Sequence, residues 1–446
     1  MKIGYLGNQS QILLGAYRIM KKVLVVGPAL TQSGYGEHTR FVLRSLRSRP
    51  ELFDVYLVSL NWGQTGWIWE DNEERQWIDQ LLGKTIGYTQ QGGKFDLCLH
   101  VTIPGEWQRN PNAQKTIGIT AGTESTKISP QWFEKCATQV DQMIVISQHT
   151  KFAFVNTVVE ANNGTSPEPV KVKLLEAKPD LKIDVVGYPV REFEKVDLDL
   201  KLKHKFNFLT VGTWIPRKNM ENTIKWFVEE FHDKEVGLII KTSLAKNCIQ
   251  DRMATQQRLS EILNNYKDRT CSVHLLHGDL TDQEMHSLYL HPKVKVLLSL
   301  SHGEGYGLPI FEAAYSGLPV IAPDWGGPVD YLYIHDGSKE KASNAKPMFS
   351  SVSYDVKPVQ KEAVWATVIE ADSQWCFPIE WHCKKVMRKV FNNYGTAKSK
   401  AKKLKAHLLE THGQDKMYNK FITSVFDEKE FNVENWLDEL NVESFG

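Results

Sequence analysis

Three things are scarce in this 446-residue sequence, and each scarcity removes a class of protein. The six cysteines (Cys98, Cys136, Cys248, Cys271, Cys376 and Cys383) contain no C-x-x-C pair, so neither a disulfide framework nor a zinc site is indicated and reduced thiols are expected. Cys376, His382 and Cys383 lie close together, but no second ligand pair of suitable spacing accompanies them, so no metal is expected there. No apolar run approaches the length of a membrane span, and residues 1–19 lack the apolar core of a secretory signal. A cytoplasmic protein without integral membrane association is the expectation. An excess of one charge is also lacking: Lys+Arg total 54 against 53 Asp+Glu. That balance gives no global electrostatic case for nucleic acid or an anionic surface.

What is present is the composition of a globular protein, 41% hydrophobic and 24% charged, long enough for two or three domains. The run 23–27 (VLVVG) is apolar throughout and bounded by a lysine pair and Gly-Pro, as a strand buried on both faces should be. Strands are predicted at 53–60, 95–101, 116–120 and 142–147, with helices at 73–82 and 131–138 between them. Turn formers and lysines then fill 157–180, which reads as an insertion or surface loop carrying a sequon at Asn163. A strand at 183–187 and a linker at 188–205 follow. The pattern restarts with strands at 207–212, 236–241, 273–276, 294–300 and 319–322 and helices at 219–231 and 252–265. Thr281 and Glu284 offer a capping box for a further helix to Leu290. A long loop is expected at about 335–362, and helix from Pro378 onward, broken near Gly413. Alternating strands and helices in two series predict two parallel sheets covered by helices.

The densest chemistry lies between Ser299 and Pro319. A buried-looking strand passes through Gly303, Gly305 and Gly307 into a helix at Leu308–Pro309, where proline suits the first turn. Closely spaced glycines let backbone amides approach a ligand, and a helix N-terminus favours an anion. Glu304 in the loop and Glu312 one turn into the helix add two carboxylates suited to hydroxyl-rich ligands.

The string GEGYGLPIFEAAYSGLPVIA resembles the donor-binding E-x7-E signature of family 4 retaining glycosyltransferases, and IAPDWGGPVDY after it extends the likeness. The resemblance implies an α/β GT-B fold: two Rossmann-like domains facing a cleft, with a C-terminal helix returning to the N-terminal domain. The boundaries it suggests are 1–19 (an extension), 20–192 (acceptor side), 200–420 (nucleotide-sugar side) and 421–446 (the returning helix). It further implies that Glu304 contacts the transferred sugar and Glu312 the ribose, with Gly305, Tyr306, Gly307 and Leu308 at the donor.

The turn VGTWIPRKN at 211–219 resembles the family's diphosphate-binding turn. Lys218 matches its lysine. Thr213 and Trp214 stand where the usual arginine would, which leaves Arg217 as a substitute. Cations there would neutralise a departing diphosphate; Lys241, at a strand end, is a further candidate. The glycine loop Gly34-Tyr35-Gly36 is placed to meet the diphosphate, or serves as a tight turn only. His100 either stands near the reacting sugar or is a satisfied structural histidine. Glu124 either holds or helps deprotonate the acceptor or is a loop carboxylate. Trp62, Trp67 and Trp69 offer either an acceptor platform or core packing. Asp197 and Asp199 mimic a metal-binding D-x-D but lie in the linker, and are set aside.

The expected reaction is transfer from a nucleotide-diphosphate sugar, with a UDP-sugar favoured, to an acceptor hydroxyl. A saccharide acceptor is favoured over a modified base in DNA, and no metal or organic cofactor is expected. A sugar-nucleotide epimerase and a non-catalytic glycan-binding protein are the alternatives.

Overall fold

The computed structural model describes residues 20–63, 65–161, 169–335 and 345–426. The extension 1–19 and the Asn163 sequon lie outside the described residues.

The N-terminal half builds a six-stranded sheet from β1 (Lys21–Gly27), β2 (Phe53–Ser59), β3 (Phe95–Val101), β4 (Ala113–Thr120), β5 (Gln142–Val145) and, after the hairpin β6 (Val158–Ala161) and β7 (Val170–Lys173), β8 (Lys182–Val185). Their order is β2-β1-β3-β4-β5-β8, all parallel. Helices α1 (Gly34–Arg47), α2 (Glu73–Gln90), α3 (Pro130–Thr138), α4 (Gln148–Asn156) and α5 (Leu174–Ala177) connect them. Val23, Val25, Leu97, Leu99, Ile117 and Ile144 on the central strands are buried, as a sheet covered on both faces requires. Ser33 caps α1 by accepting from the Gly36 N–H at 3.0 Å, a bond typically worth about 1 kcal/mol.

The second half repeats the plan with β9 (Asn207–Val211), β10 (Gly237–Thr242), β11 (Ser272–His277), β12 (Val294–Leu298) and β13 (Val320–Pro323). Helices α6 (Met220–Glu230), α7 (Ile249–Leu263), α8 (Asp282–Leu290) and α9 (Leu308–Tyr315) join these strands. Past the short antiparallel pair β14 (Tyr333–His335) and β15 (Ala345–Pro347), β16 (Ser350–Val352) completes a parallel sheet in the order β11-β10-β9-β12-β13-β16. A hairpin of β17 (Tyr354–Pro358) and β18 (Gln374–Pro378) follows. Then come α10 (Glu380–Asn392), α11 (Tyr394–Thr411) and α12 (Gln414–Val425). This is the GT-B fold.

Helix α12 returns to the first domain, where Phe421 and Tyr418 lie 5.6 Å and 6.2 Å from Phe41 of α1. The returning helix therefore begins before residue 421, and most of 421–446 lies outside the described residues.

Two expectations need correction. The stretch 157–180 is not loop throughout, because Val158–Ala161 pairs with Val170–Lys173 and Leu174, the first residue of α5, is buried in the N-terminal core. The stretch 335–362 supplies the sixth strand of the second sheet; its short, polar segments pair at a sheet edge, where no apolar run is needed.

Candidate functional site

In each sheet the strand order reverses next to its first strand, at β1/β3 and at β9/β12. Loops leaving the carboxyl ends there diverge and open a crevice. The two crevices face one another and form a cleft of about 610 Å³ lined by both halves of the chain.

On the C-terminal side, β9 feeds a single 3₁₀ turn, Pro216–Lys218, and β12 feeds the glycine loop ahead of α9. Asn219 closes the first turn in the left-handed region (φ 51°) that asparagine tolerates better than most residues, and its Nδ2 donates to Leu300 O at 3.1 Å. The two loops are thereby tied together. Gly307 precedes α9 at φ 81°, a conformation that disfavours any side chain.

Lys218 Nζ lies 2.5 Å from Glu304 Oε1, and Arg217 Nη1 lies 3.1 Å from Oε2. Arg217 also donates to Gly303 O at 2.8 Å and reaches Glu124 at 3.3 Å across the domain boundary. Burial alone would push the Glu304 carboxyl up, but Lys218 and Arg217 outweigh it and hold the group at about 2. Burial, aided by neighbouring Arg217, depresses Lys218. Among the described residues no cation forms a salt bridge with Glu312, and Arg191 opposes the effect of burial only weakly. It accepts from Tyr289 Oη at 2.8 Å, and burial raises it to about 7.

No arginine follows Gly212, where Thr213 and Trp214 stand. Trp214 is buried in the second core cluster, beneath the Arg258 guanidinium at 5.2 Å. Thr213, directly after Gly212, lines the cleft without a charge, and Arg217 brings its guanidinium to the site instead.

Other residues singled out in the sequence fall on both sides of the cleft wall. Gly34, Tyr35, Trp62, Glu124, Lys241, Gly305, Tyr306, Gly307 and Leu308 line it. Tyr35 Oη bonds Thr120 Oγ1 at 2.7 Å, and its ring lies 4.5 Å from that of Trp62. Burial lowers the pKa of Lys241, whereas Asp279 and Glu312 oppose the shift. Gly36 does not line the cleft; a Cβ there would stand 2.0 Å from Thr31 O, so this glycine serves the turn. His100 is also absent from the lining. Burial holds it neutral, at about 4, and its Nδ1 accepts from the Gln108 N–H at 3.4 Å. Trp67 and Trp69 are 51% and 69% exposed and stand outside the lining.

The sequence reading missed groups that meet only in three dimensions. Arg191 in the linker pairs with Glu37 of α1 and Asp282 of α8, both at 3.0 Å, and so joins the two halves. Burial would raise the Glu37 carboxyl, yet Arg44, Arg191 and Arg40 hold it well below the carboxylate range. Ser147 Oγ donates to Gly305 O at 2.7 Å, and the Gln148 N–H donates to Asp330 at 2.7 Å. No local spacing marks these residues.

Residues 191–338 match the family model of glycosyl transferases group 1. That segment, about a third of the chain, contains the Arg217–Lys218 turn and the stretch from Glu304 to Glu312. A serotype-specific mannosyltransferase, WbdA of Escherichia coli, is 26% identical over 199 residues, which are 44% of this chain and 23% of that protein. The chain thus matches less than a quarter of the length of these curated relatives. Among solved structures, sucrose-phosphate synthase from Thermosynechococcus elongatus superposes with a TM-score of 0.57 at 12% identity, covering 95% of this chain and 100% of that one. HepE of Anabaena in complex with UDP-glucose superposes at 0.53 with 11% identity, covering 91% and 99%. At these identities the structural likeness concerns the fold.

Proposed function

We propose that this GT-B protein is a retaining glycosyltransferase that moves a sugar from a nucleoside-diphosphate sugar to a saccharide hydroxyl in the cytoplasm. One observation carries the reading: Glu304 sits between Lys218 and Arg217 at the head of α9, inside the interdomain cleft. In this proposal the donor's diphosphate takes up the two cations and the N-terminus of α9, and Lys241 adds a third positive group. Glu304 then accepts hydrogen bonds from the sugar and Glu312 from the ribose. A UDP donor is favoured, a reading supported by the UDP-glucose complex of HepE. The similarity to a mannosyltransferase keeps mannose among the sugars to be tried.

As the bond from the anomeric carbon to the phosphate oxygen breaks, negative charge grows on the phosphate. Lys218 and Arg217, held in a water-poor site, meet that charge without reorganising. The acceptor hydroxyl attacks on the same face and passes its proton to the departing phosphate. Glu124 lies across the boundary from Arg217 and is placed to hold the acceptor. The cations satisfy the diphosphate, so the proposal calls for no metal.

A thermal-shift series with UDP-, GDP- and ADP-sugars tests the donor half, because a bound ligand raises the melting temperature by mass action. Sugar release from the stabilising donor, with the product's anomeric configuration read by NMR, tests the rest. No shift with any sugar nucleotide would overturn the reading.

A further inference from the structure

Hairpin β17–β18 and the loop between its strands form a strap that joins the two domains beside the cleft. On the N-terminal side, Thr126 N–H donates to Gln374 O at 2.9 Å and Gln374 N–H donates to Thr126 Oγ1 at 3.0 Å. Ser129 Oγ donates to Thr367 O at 2.7 Å, and Lys127 pairs with Asp372. Val368 packs against the N-terminal cluster containing Trp107 and Trp132. These anchors begin two residues beyond Glu124.

On the other side, the strap grips the Glu304 loop mainly through His302, which is 4% exposed. Its ring lies 5.7 Å from Trp375 and 4.5 Å from Phe377. His302 Nδ1 is 2.8 Å from Cys376 O, an acceptor only, so Nδ1 carries the proton. Nε2 then accepts from Gln360 Nε2 at 3.0 Å, and Gln360 Oε1 accepts from Trp375 Nε1–H at 2.9 Å. One neutral tautomer satisfies the whole chain of bonds. A protonated ring would set two donors against each other at Gln360.

The backbone of His302 makes the remaining links. Its N–H donates to Arg217 O at 2.8 Å, and its carbonyl accepts from the Cys376 N–H at 2.9 Å. The next carbonyl, Gly303 O, accepts the Arg217 guanidinium at 2.8 Å. A single buried side chain thus stands where the Arg217–Lys218 turn, the Glu304 loop and the strap meet, without lining the cleft itself.

We infer that His302 is a positioning residue: it holds the Arg217–Lys218 turn and Glu304 in register with the strap, so the strap's hold on the N-terminal domain is passed to the donor-binding groups. The inference deepens the proposed function and rests on it for the identity of those groups. A role in core filling alone would be met by any ring of similar size.

The test compares wild type with His302→Phe, His302→Asn and Gln360→Ala. Phenylalanine keeps the ring contacts and removes both hydrogen bonds, whereas asparagine places an amide near the position of Nδ1. Gln360 is partly exposed and its removal leaves the core filled. Hydrogen exchange of the His302 and Cys376 amides should accelerate about tenfold or more in His302→Phe and several-fold in Gln360→Ala, and asparagine should restore much of the protection. In the transfer assay, kcat should fall about 10- to 100-fold in His302→Phe with donor KM changed little, and recover in His302→Asn. Unchanged exchange in Gln360→Ala overturns the inference even if His302→Phe fails to fold. An equal loss of kcat in the phenylalanine and asparagine variants also overturns it. If wild type uses no sugar nucleotide, the proposed function fails, and the exchange comparison alone decides the role of His302.

Discussion

Lys218 Nζ lies 2.5 Å from Glu304 Oε1, joining residues 86 positions apart at the ends of two adjacent strands. Both side chains are largely buried, at 13% and 11% exposure. Neither charge is well solvated: Glu304 is stabilised by Lys218 and Arg217, whereas Lys218 is stabilised by Glu304 and opposed by Arg217. A diphosphate entering the cleft can replace the carboxylate as the partner of these cations. Lys218→Ala should therefore reduce kcat by about 10²–10³, the scale for losing one group that meets developing charge. Glu304→Gln should abolish transfer while leaving UDP affinity within about threefold, because it removes a proposed sugar contact and no cation. Initial rates and calorimetric titration of UDP check both.

Arg217 should behave as the missing family arginine. Its guanidinium reaches Gly303 O and Glu304, while Thr213 and Trp214 supply no cation. Arg217→Ala should weaken UDP binding about tenfold, and Arg217→Lys should recover only part, since an ammonium cannot form the same forked set of bonds. Equal UDP affinity in wild type and Arg217→Ala would leave the diphosphate to Lys218 and the backbone amides.

Glu312 supplies a pH test. Burial raises its carboxyl to about 7, above the ordinary value of 4.5. Between those values the folded state binds a proton that the unfolded state has lost, so stability falls as pH rises from about 4.5 to beyond 7. Glu312→Gln removes this penalty and should raise the melting temperature at pH 8, with little change at pH 4.5; the gain is at most about 3 kcal/mol. Ribose hydroxyls donate best to the ionised carboxylate. UDP affinity in wild type should therefore rise from pH 6 to pH 8, and that rise should disappear in Glu312→Gln.

Gly303 tests the closed arrangement of the two domains. A Cβ at this position would stand 2.2 Å from Glu124 O, a backbone atom of the opposite domain. Gly303→Ala should push the loops apart and reduce kcat about tenfold or more. At Gly34 a Cβ meets nothing within 4 Å, so Gly34→Ala should leave the melting temperature unchanged or slightly raised. Small-angle scattering should report a more open Gly303→Ala molecule than wild type, and an unchanged profile and rate would count against the closed geometry.

The sequence by itself determined the two parallel sheets and the stretch from Glu304 to Glu312 with its companion turn at Lys218. Buried parallel strands are continuous apolar runs, so VLVVG at 23–27 could be read directly, and Glu304, Glu312 and Lys218 lie within short strings whose spacing follows from one strand, one turn and one helix. The strand at 350–352 escaped notice because three residues, two serines and a valine at a sheet edge, are too few to carry a periodic signal. Only the tertiary structure decided which residues share a wall of the cleft. It brought in Arg217 and Trp62, left His100, Trp67 and Trp69 outside the lining, and joined Glu124 to Arg217, Tyr289 to Glu312 and His302 to Gln360. Those pairs come from chain segments 23 to 93 residues apart. Periodicity reports which face of an element is buried, but the partner across a domain boundary is set by packing between elements, which local sequence does not record.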